Sequence, residues 1–322
     1  MQAILSTYTA LVRVDIDLDA GHVETTTIDR GKGIYFGVTR AEEGYLVAAR
    51  NLDIDRVKRD PSSPIDAIYW LDPGLQRMAP LIEHPVLYDL HQIRAWGRTL
   101  FVILGRGSAL ALFDIPSRRL RGVIDLASAV PDDVPRRAPI NGDAFHMNSL
   151  SFANGRLFVL AHNWDQPSFA LEFALPRLPW PGTLSRVAVH RSVGSMAHDI
   201  MRSAGALHVL DSGAGRLLIR RSDGRERIVS LASATGRAFP RGLSLTRSHI
   251  VIGCGQHEAE RALREVGPTR IVVLDRKTLE VRLDARIGDY GNPADILVTS
   301  EPDLTDRKPS PRTRLPRRFA VR

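Results

Sequence analysis

The chain has 322 residues, a formal net charge of +8, 43% hydrophobic residues and one cysteine, Cys254. A single cysteine excludes an internal disulfide and favours a reducing compartment. No run of about 18 apolar residues occurs, which argues against a membrane-spanning helix. The N-terminus lacks the basic segment and the long apolar stretch of a signal peptide, so we predict a cytoplasmic location.

The positive charge is concentrated at the C-terminus. Residues 307–322 contain seven Arg and Lys residues and no acid, so residues 1–306 sum to about +1. The prolines and the low apolar content of this tail predict disorder, and we expect one domain over 1–306. A basic tail can bind nucleic acid or an acidic surface, although a solvated terminus is the simpler interpretation. The body lacks a basic stripe with interleaved aromatics, which disfavours nucleic-acid binding beyond a weak contact of the tail.

In chain order, the first predicted element is a hairpin with strands at 10–17 and 22–28. After it one plan recurs: a polar anchor, an apolar strand, a turn, and a second apolar strand about ten positions after the anchor. The four regular anchors are His91, Asn148, His198 and Arg241. A fifth unit begins around Ala294, and residues 34–51 form a sixth unit whose register is less secure.

The anchors from 91 to 294 are 57, 50, 43 and 53 residues apart. Periods of roughly 40–50 residues built from short strands are typical of propeller blades. The last apolar strand, 295–299, has no outer strands after it, whereas the N-terminal hairpin has no inner strand of its own. Because joining them removes an open sheet edge, we predict that they form one blade and close the ring.

The sequence therefore predicts an all-β, six-bladed β-propeller in which the N-terminal strands complete the last blade. The predicted blades are 31–83, 84–135, 136–190, 191–235, 236–290, and 291–306 joined with 2–30. The best helix candidate, 259–266, lies in an insertion.

In such a fold, the connection into the innermost strand and the loop after the second strand lie on the same face. The anchors should therefore gather at one mouth of the channel, together with His146, which lies two residues before Asn148. The ends of the second strands should surround them, and these are Arg106, His162 with Asn163, Asp211 with Ser212, and residues 254–257.

Three of these histidines predict a metal centre. His91, His146 and His198, with Asn148 nearby, suit a divalent transition metal such as Fe, Mn or Zn. Asp89, Asp199 and Asp211 could orient the imidazoles from behind. The alternative is that polar rings line a water-filled channel and hydrogen-bond ordered water.

The remaining candidates have substrate and acid–base roles. The planar donor fork of Arg241 suits a substrate carboxylate or phosphate, with Arg106 and Asn163 as further binding residues. His162 and Asp211 are candidate acid–base groups beside Arg241. The alternatives are structural: Asn148 could tie adjacent blades, and Arg241 could pair with Asp295 or Asp199. A buried, inert thiol is the favoured interpretation of Cys254.

The segments Asp89–His91, His146–Leu150, His198 with 209–213, and 239–243 together resemble an uncharacterised family of conserved hypothetical bacterial six-bladed propellers. The likeness covers roughly 85–300 and departs at Cys254–Gly255 and at Asp199–Ile200. It implies a shared site at His91, His146, Asn148, His198 and Arg241, but no established activity. A looser likeness to the gluconolactonase and strictosidine synthase superfamily implies metal-supported chemistry at the channel mouth.

These features predict a metal-dependent enzyme that acts on a small anionic molecule, with a lyase, hydrolase, isomerase or oxidative reaction left open. The alternatives are a non-catalytic propeller that binds a ligand or a protein, and a scaffold tethered by its basic tail.

Overall fold

A computed structural model describes residues 1–50, 66–105, 107–135, 143–175, 184–232, 238–257 and 263–301. Six four-stranded antiparallel sheets contain every named strand of this part of the chain. Their limits fall within the six predicted blades, so the prediction of an all-β, six-bladed propeller is confirmed. The described residues also include one helical turn, α1 (Leu263–Val266), and a short 3-10 helix (Ala127–Ala129).

Each blade contributes one strand to the wall of the channel. These innermost strands are β4 (Ile34–Ala41), β8 (Leu90–Trp96), β12 (Met147–Ala153), β16 (His198–Ser203), β20 (Ala238–Leu245) and β24 (Pro293–Val298). Each packs against the innermost strand of the next blade, and β24 packs against β4, so the ring closes.

The second strands are β5 (Gly44–Arg50), β9 (Thr99–Leu104), β13 (Arg156–Ala161), β17 (Ala206–Asp211), β21 (His249–Gln256) and β1 (Gln2–Thr7). The third strands are β6 (Ala67–Leu71), β10 (Ala109–Asp114), β14 (Phe169–Ala174), β18 (Arg216–Arg221), β22 (Thr269–Asp275) and β2 (Ala10–Asp17). The outer strands are β7 (Met78–Glu83), β11 (Arg119–Asp125), β15 (Ser185–His190), β19 (Glu226–Ser230), β23 (Val281–Gly288) and β3 (His22–Arg30).

The closing blade is assembled from both ends of the described chain. Strand β24 pairs with β1, and β1 continues into β2 and β3, as predicted. The N-terminal segment therefore supplies three strands rather than a two-stranded hairpin. The additional strand is β1. Both of its faces are buried, so its sequence lacks the alternation of apolar and polar residues by which a half-buried strand is recognised.

The hydrophobic core is divided into layers between neighbouring blades. One cluster joins Phe101 and Leu110 of the second blade to Phe145 and Leu157 of the third. Comparable clusters lie at the other five blade contacts. Inner and middle strands are buried on both faces, whereas an outer strand such as β11 alternates between exposed and half-buried residues. Packing of this kind fixes the blades around the channel and leaves the inner strand ends to line its mouth.

β-Bulges interrupt five of the innermost strands near the same level. The register shifts leave Phe36, His91 with Gln92, Asn148, Asp199, and Arg241 with Gly242 outside the regular ladder. A bulge re-aims side chains and increases the local twist. The five strands share one pairing register, counted from Phe36, His91, Asn148, His198 and Arg241. Three positions after each of these residues, the strand pairs with the residue that lies ten positions after the same starting residue.

Candidate functional site

Four imidazoles form a continuous row, defined here as the imidazole row: His91, His146, His162 and His198. Successive ring centroids are 4.9 Å apart from His91 to His146, 5.3 Å from His146 to His162, and 5.4 Å from His162 to His198. Each contact is edge-to-face. The structure thus brings together the three predicted metal ligands and places His162, predicted as an acid–base group, between two of them.

Aromatic rings continue the row at both ends. Phe36 lies 4.8 Å from His91, and Phe239 lies 5.4 Å from His198, between ring centroids. Tyr8 lies beyond Phe36, and Trp164 packs on His146 at 4.8 Å. Sequence analysis did not identify these four aromatic residues as part of the site. For Phe36 the signal was available, since it occupies the anchor position of the sixth repeat.

Arg241 lies beside this aromatic end and is only 6% exposed. Its guanidinium stacks on Tyr8 (5.8 Å) and Phe36 (5.7 Å), and its Nη1 donates to the Tyr8 hydroxyl at 3.1 Å. Its Nε is buried and has no hydrogen-bond partner. Within the described part of the chain no carboxylate pairs with Arg241, so the alternative that it pairs with Asp295 or Asp199 does not hold.

Arg50 provides a contrast, because it stacks on the same phenyl ring. Its guanidinium lies 5.6 Å from the centroid of Phe36, and its Nη1 is 2.6 Å from a carboxylate oxygen of Asp89. A buried charge is normally compensated in this way, since desolvation without a partner is costly. Arg241 is therefore a buried cation that lacks the anion its neighbour has.

Hydrogen bonds at Nδ1 fix the tautomers of two row imidazoles. The Nδ1–H of His91 donates to the backbone carbonyl of Asp89 at 3.0 Å. The Nδ1–H of His146 donates to Oδ2 of Asp143 at 2.7 Å, while Oδ1 of the same carboxylate accepts from the His146 backbone N–H. In the neutral ring, a proton on Nδ1 leaves the lone pair on Nε2. Asp143 was not identified from the sequence.

His198 has the same tautomer, and His162 has the opposite one. The hydroxyl of Ser212 donates to the Pro240 carbonyl at 2.6 Å, so its oxygen accepts from Nδ1–H of His198 at 3.0 Å. In contrast, Nδ1 of His162 accepts the backbone N–H of Trp164 at 3.0 Å, which leaves the proton of the neutral ring on Nε2. The row therefore presents three Nε2 lone pairs and one Nε2–H.

Burial keeps three of these rings, those of His91, His162 and His198, uncharged. Desolvation is the largest cause that lowers the pKa of His91 to about 3, with the charge of Asp89 opposing it. Burial also lowers the pKa of His162 and His198 well below the usual value, and Arg241 lowers both further. At neutral pH these imidazoles are consequently neutral hydrogen-bonding groups.

Asn148 combines a structural contact with a free acceptor. Its Nδ2 donates to the Ala197 carbonyl at 2.8 Å, which ties the third blade to the fourth, as the alternative interpretation proposed. Its Oδ1 is buried and has no partner. The bulge leaves this residue outside the regular strand pairing, and Oδ1 is an acceptor without a hydrogen-bond partner among the described residues.

The other predicted site residues are placed differently. Asn163 is fully buried and its amide donates to the carbonyls of Pro135 (3.4 Å) and Pro167 (3.1 Å), so its donors are used within loops. The carboxylate of Asp211 accepts hydrogen bonds from the backbone N–H of Ser195 and from Nε of Arg216, so both of its oxygens are used in structural contacts. Asp211 is therefore not free to serve as an acid–base group. Arg106 lies outside the described residues.

Below the row lies a second polar cluster, defined here as the hub: Gln92, Arg94, Asp199 and Asp295. Arg94 donates to both carboxylate oxygens of Asp295 at 2.6 and 3.1 Å. Gln92 Nε2 donates to Oδ1 of Asp295 at 3.2 Å and also to Asp199. Backbone N–H groups of Val38, Leu150 and Gly242 complete the network, so all six blades contribute to it.

The hub changes the expected role of Asp199. Burial, reinforced by the charge of Asp295, raises the pKa of Asp199 to about 7, and the N–H of Gly242 opposes this rise. Gly242 has φ +84°, and a Cβ there would lie 3.0 Å from the backbone of Asp295. Asp199 thus belongs to the hub instead of orienting an imidazole. Glycine at position 242 permits the close approach of its backbone to that of Asp295.

Two further residues are buried away from the row contacts. Cys254 lies in the core between the fourth and fifth blades, and burial raises its pKa to about 12, as expected of an inert thiol. His208 is also buried, since it is 5% exposed, and its Nδ1 has no hydrogen-bond partner among the described residues.

The metal prediction receives mixed support from the described residues. The free Nε2 lone pairs of His91, His146 and His198 suit a transition metal. However, among the residues described, no three His, Cys, Asp or Glu side chains lie close enough to hold a metal ion. His162 separates His146 from His198 in the row and presents a proton rather than a lone pair.

The comparisons with known proteins show the fold. No family model matches the chain, and no curated protein matches it. A structure of a nidogen–laminin complex is similar over 92% of this chain and 97% of that chain, with TM-score 0.61 and 10% identity. The periplasmic gluconolactonase PpgL of Pseudomonas aeruginosa covers 94% of this chain and 99% of its own, with TM-score 0.56 and 16% identity.

A Bacteroides fragilis structure, described as a proposed 6-phosphogluconolactonase, has TM-score 0.55 and 11% identity, with coverage of 92% of this chain and 97% of that chain. The predicted likeness to gluconolactonase-type propellers is thus confirmed at the level of fold. No helix in the described residues has the length and apolar character needed to cross a membrane. Because PpgL is described as periplasmic, the cytoplasmic location stays a prediction.

Proposed function

We propose that this propeller is a hydrolase-type enzyme that cleaves an ester or lactone bond in a small anionic molecule at the channel mouth. The observation that carries the proposal is the buried guanidinium of Arg241, which has no acidic partner in the described residues and interacts electrostatically with the imidazoles of His162 and His198. A cation of this kind is best compensated by an anionic ligand. The similarity of fold to a gluconolactonase supports a hydrolytic reaction.

His146 is the proposed general base. Its Nδ1–H is held by Asp143 at 2.7 Å, which orients the ring and leaves Nε2 able to accept a proton. A water molecule loses a proton to Nε2 as its oxygen bonds to the carbonyl carbon of the substrate. The carbonyl oxygen then carries the negative charge.

His162 and Arg241 are the proposed stabilising groups. The Nε2–H of His162 donates to the developing oxyanion, and Arg241 holds the anionic group of the substrate. When the carbonyl re-forms, the C–O bond to the leaving oxygen breaks and the proton on His146 passes to that oxygen. The products are a carboxylate, an alcohol and one proton released to solvent.

The test is proton release from a panel of carboxylate-bearing esters and lactones, followed in a pH-stat. We expect Arg241→Met to lower kcat/KM by about ten- to a hundredfold, since hydrogen bonds to charged groups are worth roughly 1.5–3 kcal/mol. His146→Gln should lower kcat further and leave KM nearly unchanged. Arg119→Met, on the exposed outer strand β11, is the matched control and should have wild-type activity.

Tight binding of these molecules without turnover would instead indicate the alternative function, a non-catalytic binding propeller. Full activity of both Arg241→Met and His146→Gln would contradict the proposed site.

A metal-supported reaction is the second candidate, because His91, His146 and His198 leave Nε2 lone pairs that a divalent ion such as Fe, Mn or Zn could use. When bound, such an ion would activate water and polarise a carbonyl. Elemental analysis of untagged protein and of His198→Ala decides this. About one ion per chain, lost in the variant, supports it. Turnover that persists in metal-free protein supports the imidazole base.

A further inference from the structure

The proposed base and the proposed oxyanion donor lie on two loops that are bonded to each other. His146 directly precedes β12, and His162 directly follows β13. The backbone N–H of His162 donates to the His146 carbonyl at 3.1 Å, and the N–H of Asn163 donates to the Phe145 carbonyl at 2.8 Å. The positions of the two imidazoles therefore depend on one shared piece of backbone.

Trp164 contacts both of these imidazoles through different groups. Its backbone N–H donates to Nδ1 of His162 at 3.0 Å, and its indole packs on His146 with ring centroids 4.8 Å apart. Its Nε1–H donates to the backbone carbonyl of Asp143 at 3.3 Å. Because the carboxylate of Asp143 holds Nδ1–H of His146 at 2.7 Å, Trp164 supports the base both directly and through its carboxylate.

The backbone around Trp164 has an uncommon conformation. The φ angles are +60° at Asn163, +55° at Trp164 and +51° at His146. This left-handed region is unfavourable for a bulky residue such as Trp164, and it persists only where the surroundings hold it. The turn brings the N–H of Trp164 back onto the ring two residues earlier. The indole contacts with Asp143 and His146 anchor that turn.

The hydrophobic core does not account for Trp164. It is half-buried, and it belongs to none of the hydrophobic clusters formed by the described residues. Trp96, in contrast, packs on Phe152 and against the core between the second and third blades. Since burial of a large aromatic ring against the core stabilises a fold, packing explains Trp96 better than it explains Trp164.

We propose that Trp164 is a positioning residue that couples the general base His146 to the oxyanion donor His162. Its N–H keeps the proton of the neutral His162 ring on Nε2, because a ring nitrogen that accepts a hydrogen bond does not carry that proton. Its indole holds His146 against Asp143 and so fixes the direction of the Nε2 lone pair. The inference rests on the proposed function for the reaction, whereas the tautomers are properties of the protein alone.

Nitrogen NMR of labelled histidines tests the tautomers. Wild-type protein should have His162 protonated at Nε2 and His146 protonated at Nδ1. In Trp164→Ala the anchors of the turn are lost, and we expect His162 to populate both tautomers. Trp164→Phe keeps a ring on His146 and should stay close to wild type. Trp96→Ala is the matched control: it should keep the wild-type tautomers, although urea denaturation should show a larger loss of stability than in Trp164→Ala.

Kinetics on the ester and lactone panel test the coupling. Trp164→Ala should lower kcat by about ten- to a hundredfold and leave KM within about twofold, because misplaced reacting groups lose rate rather than binding. Trp164→Phe loses one neutral hydrogen bond and should lower kcat by only about a few fold. Trp96→Ala should have the kcat of the wild type.

The outcomes separate the inference from the proposed function. His162 protonated at Nε2 alone in Trp164→Ala would overturn the inference, as would a wild-type kcat in that variant. Equal effects of Trp96→Ala would also overturn it, because they would assign the change to lost stability. If wild-type protein cleaves no member of the panel, hydrolysis fails and the NMR result decides the positioning. If wild type and Trp164→Ala cleave the panel equally well, the positioning fails and hydrolysis stands.

Discussion

The imidazole row and the hub are neighbouring polar clusters in one channel, yet they differ in how their hydrogen bonds are used. In the hub, the carboxylate of Asp295 accepts from Arg94, Gln92 and two backbone N–H groups, and six blades are joined. At the mouth, Arg241 Nε and Asn148 Oδ1 are buried and have no hydrogen-bond partner in the part of the chain that the structure describes. A saturated buried network stabilises a fold, whereas unsatisfied buried groups cost stability and indicate a site for a ligand.

The same substitution in two buried arginines should show this difference most clearly. Arg94→Met leaves Asp295 buried without its ion-pair partner, so we expect the free energy of unfolding to fall by about 3–5 kcal/mol. Arg241→Met removes a buried charge that has no ion-pair partner among the described residues, and lost stacking on Tyr8 and Phe36 offsets the relief of desolvation. Its stability should stay within about 1 kcal/mol of wild type. Urea denaturation measures both, and equal destabilisation would remove the distinction between the two clusters.

The two clusters should also respond to pH with opposite signs. The pKa values of His91, His162 and His198 in the row, and of the buried His208 outside it, are lowered in the folded state, so these groups take up protons on unfolding below about pH 6.5. Their contribution to stability is present above that pH and is lost as the pH falls. The raised pKa of Asp199, about 7, contributes stability at low pH that is lost as the pH rises towards 7.

Between roughly pH 5.5 and 4.5, unfolding lets the four histidines take up about four protons and Asp199 release about one. The net uptake on unfolding is therefore about three protons. Stability should therefore decrease by up to about 4 kcal/mol per pH unit on acidification. In urea titrations across this range, His162→Gln should reduce the slope by about one proton, and Asp199→Asn should increase it by about one. A slope that neither variant changes would contradict the assigned protonation states.

The smallest expected effect concerns the tautomer of His198. Ser212→Ala removes the hydroxyl that accepts from Nδ1–H of His198 and donates to Pro240, and we expect a loss of about 1 kcal/mol in stability. Hydrolysis of the ester and lactone panel should slow by a few fold in kcat/KM, because the ring can then adopt the other tautomer. Ser212→Thr keeps the hydroxyl and is the control. Identical kcat/KM values for Ser212→Ala and wild type would mean that this lone pair does not contact the substrate.

The anchors were predictable because a repeat places equivalent residues at equivalent points of a ring. His91, Asn148 and Arg241 lie at bulges of innermost strands, and His198 lies directly before one. Phe36 could have been included, since it shares their pairing register. Trp164 and Asp143 could not, because they lie in loops outside the repeat and reach the site through local turns with no periodic signal.

The sequence by itself determined the number of blades, the closure of the ring by its N-terminal strands, and the face on which the polar anchors meet. These follow from periodicity, which needs only the order of residues. The tertiary structure decided which polar groups saturate one another, since hydrogen-bond partners such as Asp295 with Arg94 are 201 residues apart in the chain. It also set the tautomers of the imidazoles and left Arg241 without a carboxylate partner among the described residues. Those properties depend on burial and on contacts between blades, and the sequence does not encode them at short range.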